Sequence, residues 1–258
     1  MIWRRAIGWG VAQGYRWGRG RTLEALRSGR ARLPVAFHAA EAGEVEAILA
    51  WFQRAGVLAQ VDLTFDDGWR PFAETVRVLE AFEKPATLFI APGQTLRGRV
   101  WTDGTTVPQR QALYGLDEAA RYAQLEAWGI DRARHLLTRE EVCALARHPL
   151  VTVGNHTWSH LSCPHRPLTE VLEEVDRAQA LLSAWCGYAP RAFAYPFGRG
   201  TAELDAAVRA RGLVPHYTRP GLTVGETGSA RNLFYEGMSL AENVGRLLMA
   251  WPKVGETL

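Results

Sequence analysis

Hydrophobic and polar positions along the chain fall into two alternating rhythms. Short apolar runs at Leu33–His38, Val61–Phe65, Ala86–Ala91, Val151–Asn155, Ala192–Tyr195 and Leu213–Thr218 read as buried strands. Between them the spacing becomes helical. Glu44–Ala55 carries Val45, Ile48, Leu49 and Phe52 on one face, and Pro71–Phe82, Thr138–Arg147, Thr169–Trp185 and Ala202–Arg211 repeat the pattern. Thr138 followed by Glu141 forms a capping-box signature at one helix start. Alternating strands and helices predict a parallel sheet, and strand ends that carry polar chemistry predict a (β/α) barrel with its site at the C-terminal ends of the strands. Residues 1–32 read as a basic N-terminal helical segment and 33–258 as the barrel. Residues 93–137, rich in Gly, Arg and the aromatics Trp101, Tyr114 and Trp128, break the rhythm and read as an insertion that overhangs the site.

Composition changes this picture little. The chain has 258 residues, 47% hydrophobic and 22% charged, which suits one elaborated α/β domain. A formal net charge of +3 does not argue for nucleic acid. The arginines are uneven, however. Arg4, Arg5, Arg16, Arg19, Arg21, Arg27, Arg30 and Arg32 crowd the N-terminus among Trp3, Trp9, Tyr15 and Trp17. That pattern fits either a solubilised terminal helix or a weak peripheral contact with an anionic membrane or polymer. No apolar run is long enough for a membrane span, and no signal-peptide pattern is present. Cys143, Cys163 and Cys186 are odd in number and lack metal spacing. Free thiols in a reducing cytoplasm are the expectation.

Three constellations carry candidate chemistry. Thr64-Phe65-Asp66-Asp67-Gly68 places two adjacent carboxylates at a strand end, where desolvation is costly without a cation. Neighbouring residues project differently, so one carboxylate can ligate a metal while the other faces a water; alone, the same residues also fit an exposed turn. Asn155-His156-Thr157-Trp158-Ser159-His160 sets two imidazoles four apart, which a helical turn would bring to one face as a metal clamp. No Glu follows His156, so this is not a zincin helix. Asp67, His156 and His160 together make a facial triad suited to Zn²⁺, Co²⁺, Ni²⁺ or Mn²⁺. Arg191-Ala192-Phe193-Ala194-Tyr195-Pro196-Phe197-Gly198 ends a strand in an aromatic rim and a turn whose N–H groups could hold an oxyanion, or is simply an ordinary strand exit.

In this order, the three segments resemble the motifs of the NodB-homology polysaccharide deacetylases, carbohydrate esterase family 4: TFDDG, H-[ST]-x-x-H and a later Pro-aromatic-Gly. The resemblance covers roughly residues 33–235. It implies a distorted (β/α) barrel of about seven strands. It also implies hydrolytic removal of an N-acetyl group from an amino sugar in a polysaccharide, oligosaccharide or glycoconjugate precursor, with zinc the first expectation for the ion. By position, Asp66 resembles the family's base, and Asp67, His156 and His160 its metal ligands. Thr157 resembles the brace of the histidine loop, and the Phe197 N–H falls in the oxyanion hole beside Tyr195 and Pro196. His38 resembles a histidine near the barrel mouth.

Two features depart from the family pattern. The family often has an arginine two residues before the motif's proline, where it orients the base; here that position is Ala194, and Arg191 lies on the opposite face of the strand. The family often has a late histidine as acid; here no histidine follows His216. The insertion's aromatics would stack on sugar rings or form a local core. A non-catalytic carbohydrate-binding protein, or a related amidohydrolase such as a deformylase, would carry the same motifs.

Overall fold

The computed structural model describes residues 19–130, 136–223 and 229–249. Seven parallel strands close into a barrel in chain order: β1 (Leu33–Phe37), β2 (Val61–Phe65), β3 (Ala86–Ile90), β4 (Val151–Asn155), β5 (Ala192–Ala194), β6 (Val214–Thr218) and β7 (Ser229–Leu233). Closure is made by β7 pairing with β1, Val35 opposite Asn232 and Ala36 opposite Leu233. Six of the seven strands were legible as apolar runs. β7 was not, because Ser229-Ala230-Arg231-Asn232-Leu233 is no apolar run.

Residues 19–27 form helix α1, and α2 (Ala42–Arg54) and α3 (Phe72–Ala81) follow β1 and β2. Leu33, Val35 and Phe37 of β1, Val61, Leu63 and Phe65 of β2, and Ala86, Leu88 and Ile90 of β3 pack in one cluster with Val45, Ile48, Leu49 and Phe52 of α2. The two-residue period turns the alternate strand residues inward. There Phe89, Thr64, His216 and Arg231 meet one another. Leu26 of α1 is fully buried in the same outer cluster, so the described part of the N-terminal segment docks on the barrel. Its first eighteen residues, and with them Arg4, Arg5 and the aromatics Trp3, Trp9, Tyr15 and Trp17, lie outside the described residues.

The break in rhythm after β3 resolves into three short helices, α4 (Pro92–Arg97), α5 (Val107–Leu113) and α6 (Glu118–Ala127). They close over a small core of their own, Trp101, Leu113, Tyr122 and Leu125, against which Phe197 packs. Of the two readings of the insertion aromatics, Trp101 therefore takes the local core, being fully buried. Helix α7 (Arg139–Leu145) is capped by Thr138 in the expected capping box. Helices α8 (Leu168–Cys186), α9 (Ala202–Ala210) and α10 (Leu240–Leu247) complete the outer ring. No helix among the described residues is long and apolar enough to cross a membrane. The three cysteines are free. Burial pushes the thiols of Cys163 and Cys186 up to about 12 and about 11, so neither has a nucleophile's character.

Candidate active site

Every candidate ligand sits where a strand ends at one mouth of the barrel. Asp66 and Asp67 follow β2, and His156 follows β4. Asp67 adopts a left-handed backbone (φ 70°), followed by Gly68 at φ 74°. This twist separates the neighbouring carboxylates. Asp67 turns toward the histidines: its Oδ1 lies 3.3 Å from His160 Nε2 and 3.7 Å from His156 Nε2. Asp66 turns into the barrel, where Arg231 forks onto it, Nη1 to Oδ1 at 2.5 Å and Nη2 to Oδ2 at 2.9 Å. The same guanidinium donates to Thr64 and Thr218 and lies 5.0 Å over the Phe89 ring. Arg231 is completely buried.

The histidine pair is not held by a helical turn, as its spacing predicted. Residues 156–160 form an irregular loop with Thr157 (φ 63°) and His160 (φ 54°) in the left-handed region. Such backbone costs of order 1–3 kcal/mol per residue and persists only where the surroundings impose it. Here the Thr157 N–H donates to Asn155 Oδ1, and Asn155 Nδ2 is anchored on Val175 O and Gln179 Oε1 of α8. The loop is thus braced at this point by Asn155, while the Thr157 hydroxyl has no hydrogen-bond partner.

Electrostatics divide the labour further. Burial alone would push the Asp66 carboxyl up. The Arg231 guanidinium, with His156 and His38 nearby, instead holds it well below the usual carboxylate range. Asp67 lacks such a partner, and burial pushes it up. Burial drives His156 down to about 4 and His160 down to about 3, so both imidazoles are neutral near neutral pH. His156 Nδ1 lies 2.8 Å from Ala194 O and must donate to that carbonyl, which leaves Nε2 as the lone-pair nitrogen facing Asp67. The buried Asp67 Oδ1 makes no hydrogen bond. Ligand atoms of Asp67, His156 and His160 lie within 4.8 Å of one another. One carboxylate oxygen without a hydrogen bond and two neutral imidazoles, converging and buried, fit a divalent cation.

The remaining candidates separate. His38, about one-third exposed, lies just beyond β1 with Nε2 4.0 Å from Asp66 Oδ2. His216 is inside the barrel against Phe89, and burial drives it down to about 3. Phe197, at φ 58°, packs on His160 with ring centroids 4.8 Å apart, and Pro196 is buried beside it. Tyr195 does not join the expected rim. It is fully buried and directs its hydroxyl to Asp205 of α9, because the 3₁₀ turn at Pro196–Gly198 turns only Phe197 toward His160. Arg191 is exposed before the start of β5, at the far end of the strand from the site. The residue that sequence reasoning missed is Arg231. A lone arginine in a polar stretch gave no signal, and only barrel closure brings it to Asp66.

Fold and site together define a seven-stranded (β/α) barrel with a candidate Asp-His-His metal centre and a second, arginine-paired carboxylate. The chain belongs to the polysaccharide deacetylase family, whose sequence profile matches residues 59–216, more than half its length. Membership points to hydrolysis of N-acetyl amide bonds by a metal-dependent centre. Both His38 and Arg231 lie outside the matched stretch. No curated protein matches the sequence. Among solved structures, IcaB from Ammonifex degensii is 17% identical, with a TM-score of 0.58 over 85% of this chain and 97% of that one. PplD, a deacetylase from Streptococcus pyogenes solved with acetate, is 16% identical, with a TM-score of 0.59 over 84% and 98%. A de-N-acetylase from Aggregatibacter actinomycetemcomitans is 15% identical, with a TM-score of 0.59 over 83% and 99%. At these identities the likeness is one of fold.

Two outcomes follow from the site's charges. Arg231→Met leaves Asp66 buried without its partner, and losing one member of a buried pair costs about 3–5 kcal/mol. Urea unfolding of the variant should show a loss of that size; a loss below about 1 kcal/mol would mean the pair is not formed. The second outcome concerns acid. In the unfolded metal-free chain, His156, His160 and His216 titrate near the ordinary value of about 6.5. Folded, they titrate at about 4, about 3 and about 3. Between these values the unfolded chain binds more protons, so stability is greatest above the unfolded value and falls as pH drops. Asp67, pushed up, opposes this trend as a single group. Thermal melts of the metal-free chain should therefore decline steadily as the pH is lowered from neutral toward 4, and a flat profile would contradict the assignment.

Proposed function

We propose that the protein hydrolyses the N-acetyl group of an amino sugar in a polysaccharide, oligosaccharide or glycoconjugate precursor. In this reading Asp66 is the base and Asp67, His156 and His160 hold a divalent ion, zinc first among those suited to the set. The observation that carries it is the separation of two adjacent buried carboxylates: Asp66 forks onto Arg231, and Asp67 faces two neutral imidazoles. A protein that only bound carbohydrate would have no use for an ionised, arginine-held carboxylate beside the ligand set.

A divalent ion held there lowers the pKa of a water and polarises a carbonyl oxygen. The chain's own groups supply the rest. Arg231 keeps Asp66 ionised and fixed, so that it accepts a proton from the attacking water. The backbone N–H of Phe197 is assigned to the oxyanion that develops on the acetamide carbonyl. The departing amine needs a proton. Asp66 returns the one it took, with His38, on the open side of Asp66, as the second group placed to donate. His216 is unprotonated at neutral pH and walled in by Phe89 and Arg231, which removes it as the acid. We assign the protein to the cytoplasm on the reading of its three cysteines as free thiols, and this favours a glycoconjugate precursor or small oligosaccharide over an extracellular polymer. A weak peripheral contact with an anionic membrane through the basic N-terminal segment, residues 1–32, is part of the same proposal.

The test is metal content together with turnover on a panel of N-acetylated and N-formylated amino sugars and N-acetylglucosamine oligomers. Wild type should bind about one divalent ion and release acetate. Asp66→Asn should keep the ion and lose at least about 100-fold in turnover, the contribution of a positioned base. Release of formate alone would reassign the acyl group. Turnover within a few-fold of wild type in Asp66→Asn would remove Asp66 as the base.

A further inference from the structure

The loop that carries His156 and His160 has three consecutive carbonyls, Trp158, Ser159 and His160, and the segment after β3 takes all of them. Gly93 N–H donates to Trp158 O at 2.9 Å. The Gln94 amide approaches Ser159 O at 3.4 Å. Arg121 Nη1 lies 3.2 Å from Ser159 O and 3.5 Å from His160 O, and its Nη2 donates to the Ser159 hydroxyl. Trp101 Nε1 donates to His160 O at 3.0 Å. The fit is close: a Cβ on Gly93 would stand 2.6–2.8 Å from the indole and carbonyl of Trp158. From the other side, Glu174 of α8 accepts the Ser159 N–H at 2.8 Å and its hydroxyl at 2.6 Å.

Two of these donors are costly to place. Trp101 is fully buried and Arg121 is 2% exposed. A desolvated guanidinium is stabilised only when its donors are used and a countercharge is near. Arg121 turns its Nη donors to the backbone and hydroxyl of the histidine loop and its Nε to Asp117 O, stacks 5.0 Å from the Trp101 ring, and meets its countercharge, Glu174, across Ser159. A buried arginine whose two Nη groups both point at one irregular loop is not there to solubilise a surface helix. His160 itself sits in the left-handed region, which a non-glycine residue holds only under external constraint.

We infer that Trp101 and Arg121 are positioning residues of the metal centre: by capturing the carbonyls of Ser159 and His160 they impose the backbone that turns the His160 imidazole onto Asp67. The insertion is then part of the ligand set's support and not only a cover over the mouth. Groups that orient ligands in this way change metal affinity by about 10–100-fold when removed. This inference rests on the metal-centre reading above.

The experiment measures Zn²⁺ affinity by competition with a chromophoric chelator and the visible spectrum of the Co²⁺-loaded protein. It compares wild type, Trp101→Phe, Arg121→Met and Arg121→Lys, with the thermal midpoint of each metal-free chain. Trp101→Phe keeps the ring and loses one donor, and should bind several-fold more weakly with a shifted cobalt spectrum and a nearly unchanged metal-free midpoint. Arg121→Met should lose about 10–100-fold, and Arg121→Lys should recover part of it. A lowered midpoint with wild-type affinity and an unchanged cobalt spectrum in Trp101→Phe would overturn the inference alone, showing a purely structural role. Absence of metal binding by wild type would overturn it together with the metal-centre reading.

Discussion

The buried fork between Arg231 and Asp66 is the constraint around which the barrel interior is arranged. An ionised carboxylate inside a barrel is affordable only with a countercharge that is itself fully satisfied. Arg231 comes close to that condition: its Nη1 and Nη2 donate to Asp66, Thr64 and Thr218 and its guanidinium rests on Phe89, while only the buried Nε has no hydrogen-bond partner. Thr64 in turn donates to Val35 O of β1, so the charge pair is tied into the ladder that closes the barrel. β7 must pair with β1 for this to happen, because only then does a residue 165 positions away in sequence reach the end of β2. Closure of the sheet and ionisation of the candidate base are therefore one event.

Strain is concentrated at the same mouth. Asp67, Thr157, His160 and Phe197 all have positive φ. None is glycine, and each follows a strand end that carries candidate chemistry. Left-handed backbone at β-branched Thr157 is especially unfavourable. The compensation comes from outside the loops. Asn155 and Glu174 tie the histidine loop to α8, and Trp101 and Arg121 tie it to the insertion. A rigid parallel barrel with helices on its outer face lets such loops be held in geometry that their own sequences would not choose.

Much of this was legible in the sequence. Six strands were buried runs because helices cover one face and other side chains fill the inside, so the period-two signal collapses into short apolar blocks. The site's core was legible because Asp66, Asp67 and His156 lie directly at the ends of those runs, with His160 four residues after His156. Three things were not. β7 was hidden because its inward residue is the charged Arg231, paired with a carboxylate that no local pattern reveals. The helical reading of the histidine pair failed because spacing reports only which residues a helix would align, and here tertiary donors override that local geometry. Tyr195 was expected on the rim because it adjoins Phe197, yet the turn at Pro196 leaves it packed against α9, bonded to Asp205.

The account stands on two neighbouring carboxylates having different partners. Anomalous diffraction from zinc-loaded crystals examines this directly. It should place one ion bound by Asp67 Oδ1, His156 Nε2 and His160 Nε2, with Asp66 outside its coordination shell and still forked onto Arg231. An ion that draws Asp66 into its ligand set, or that settles away from the two histidines, would contradict it.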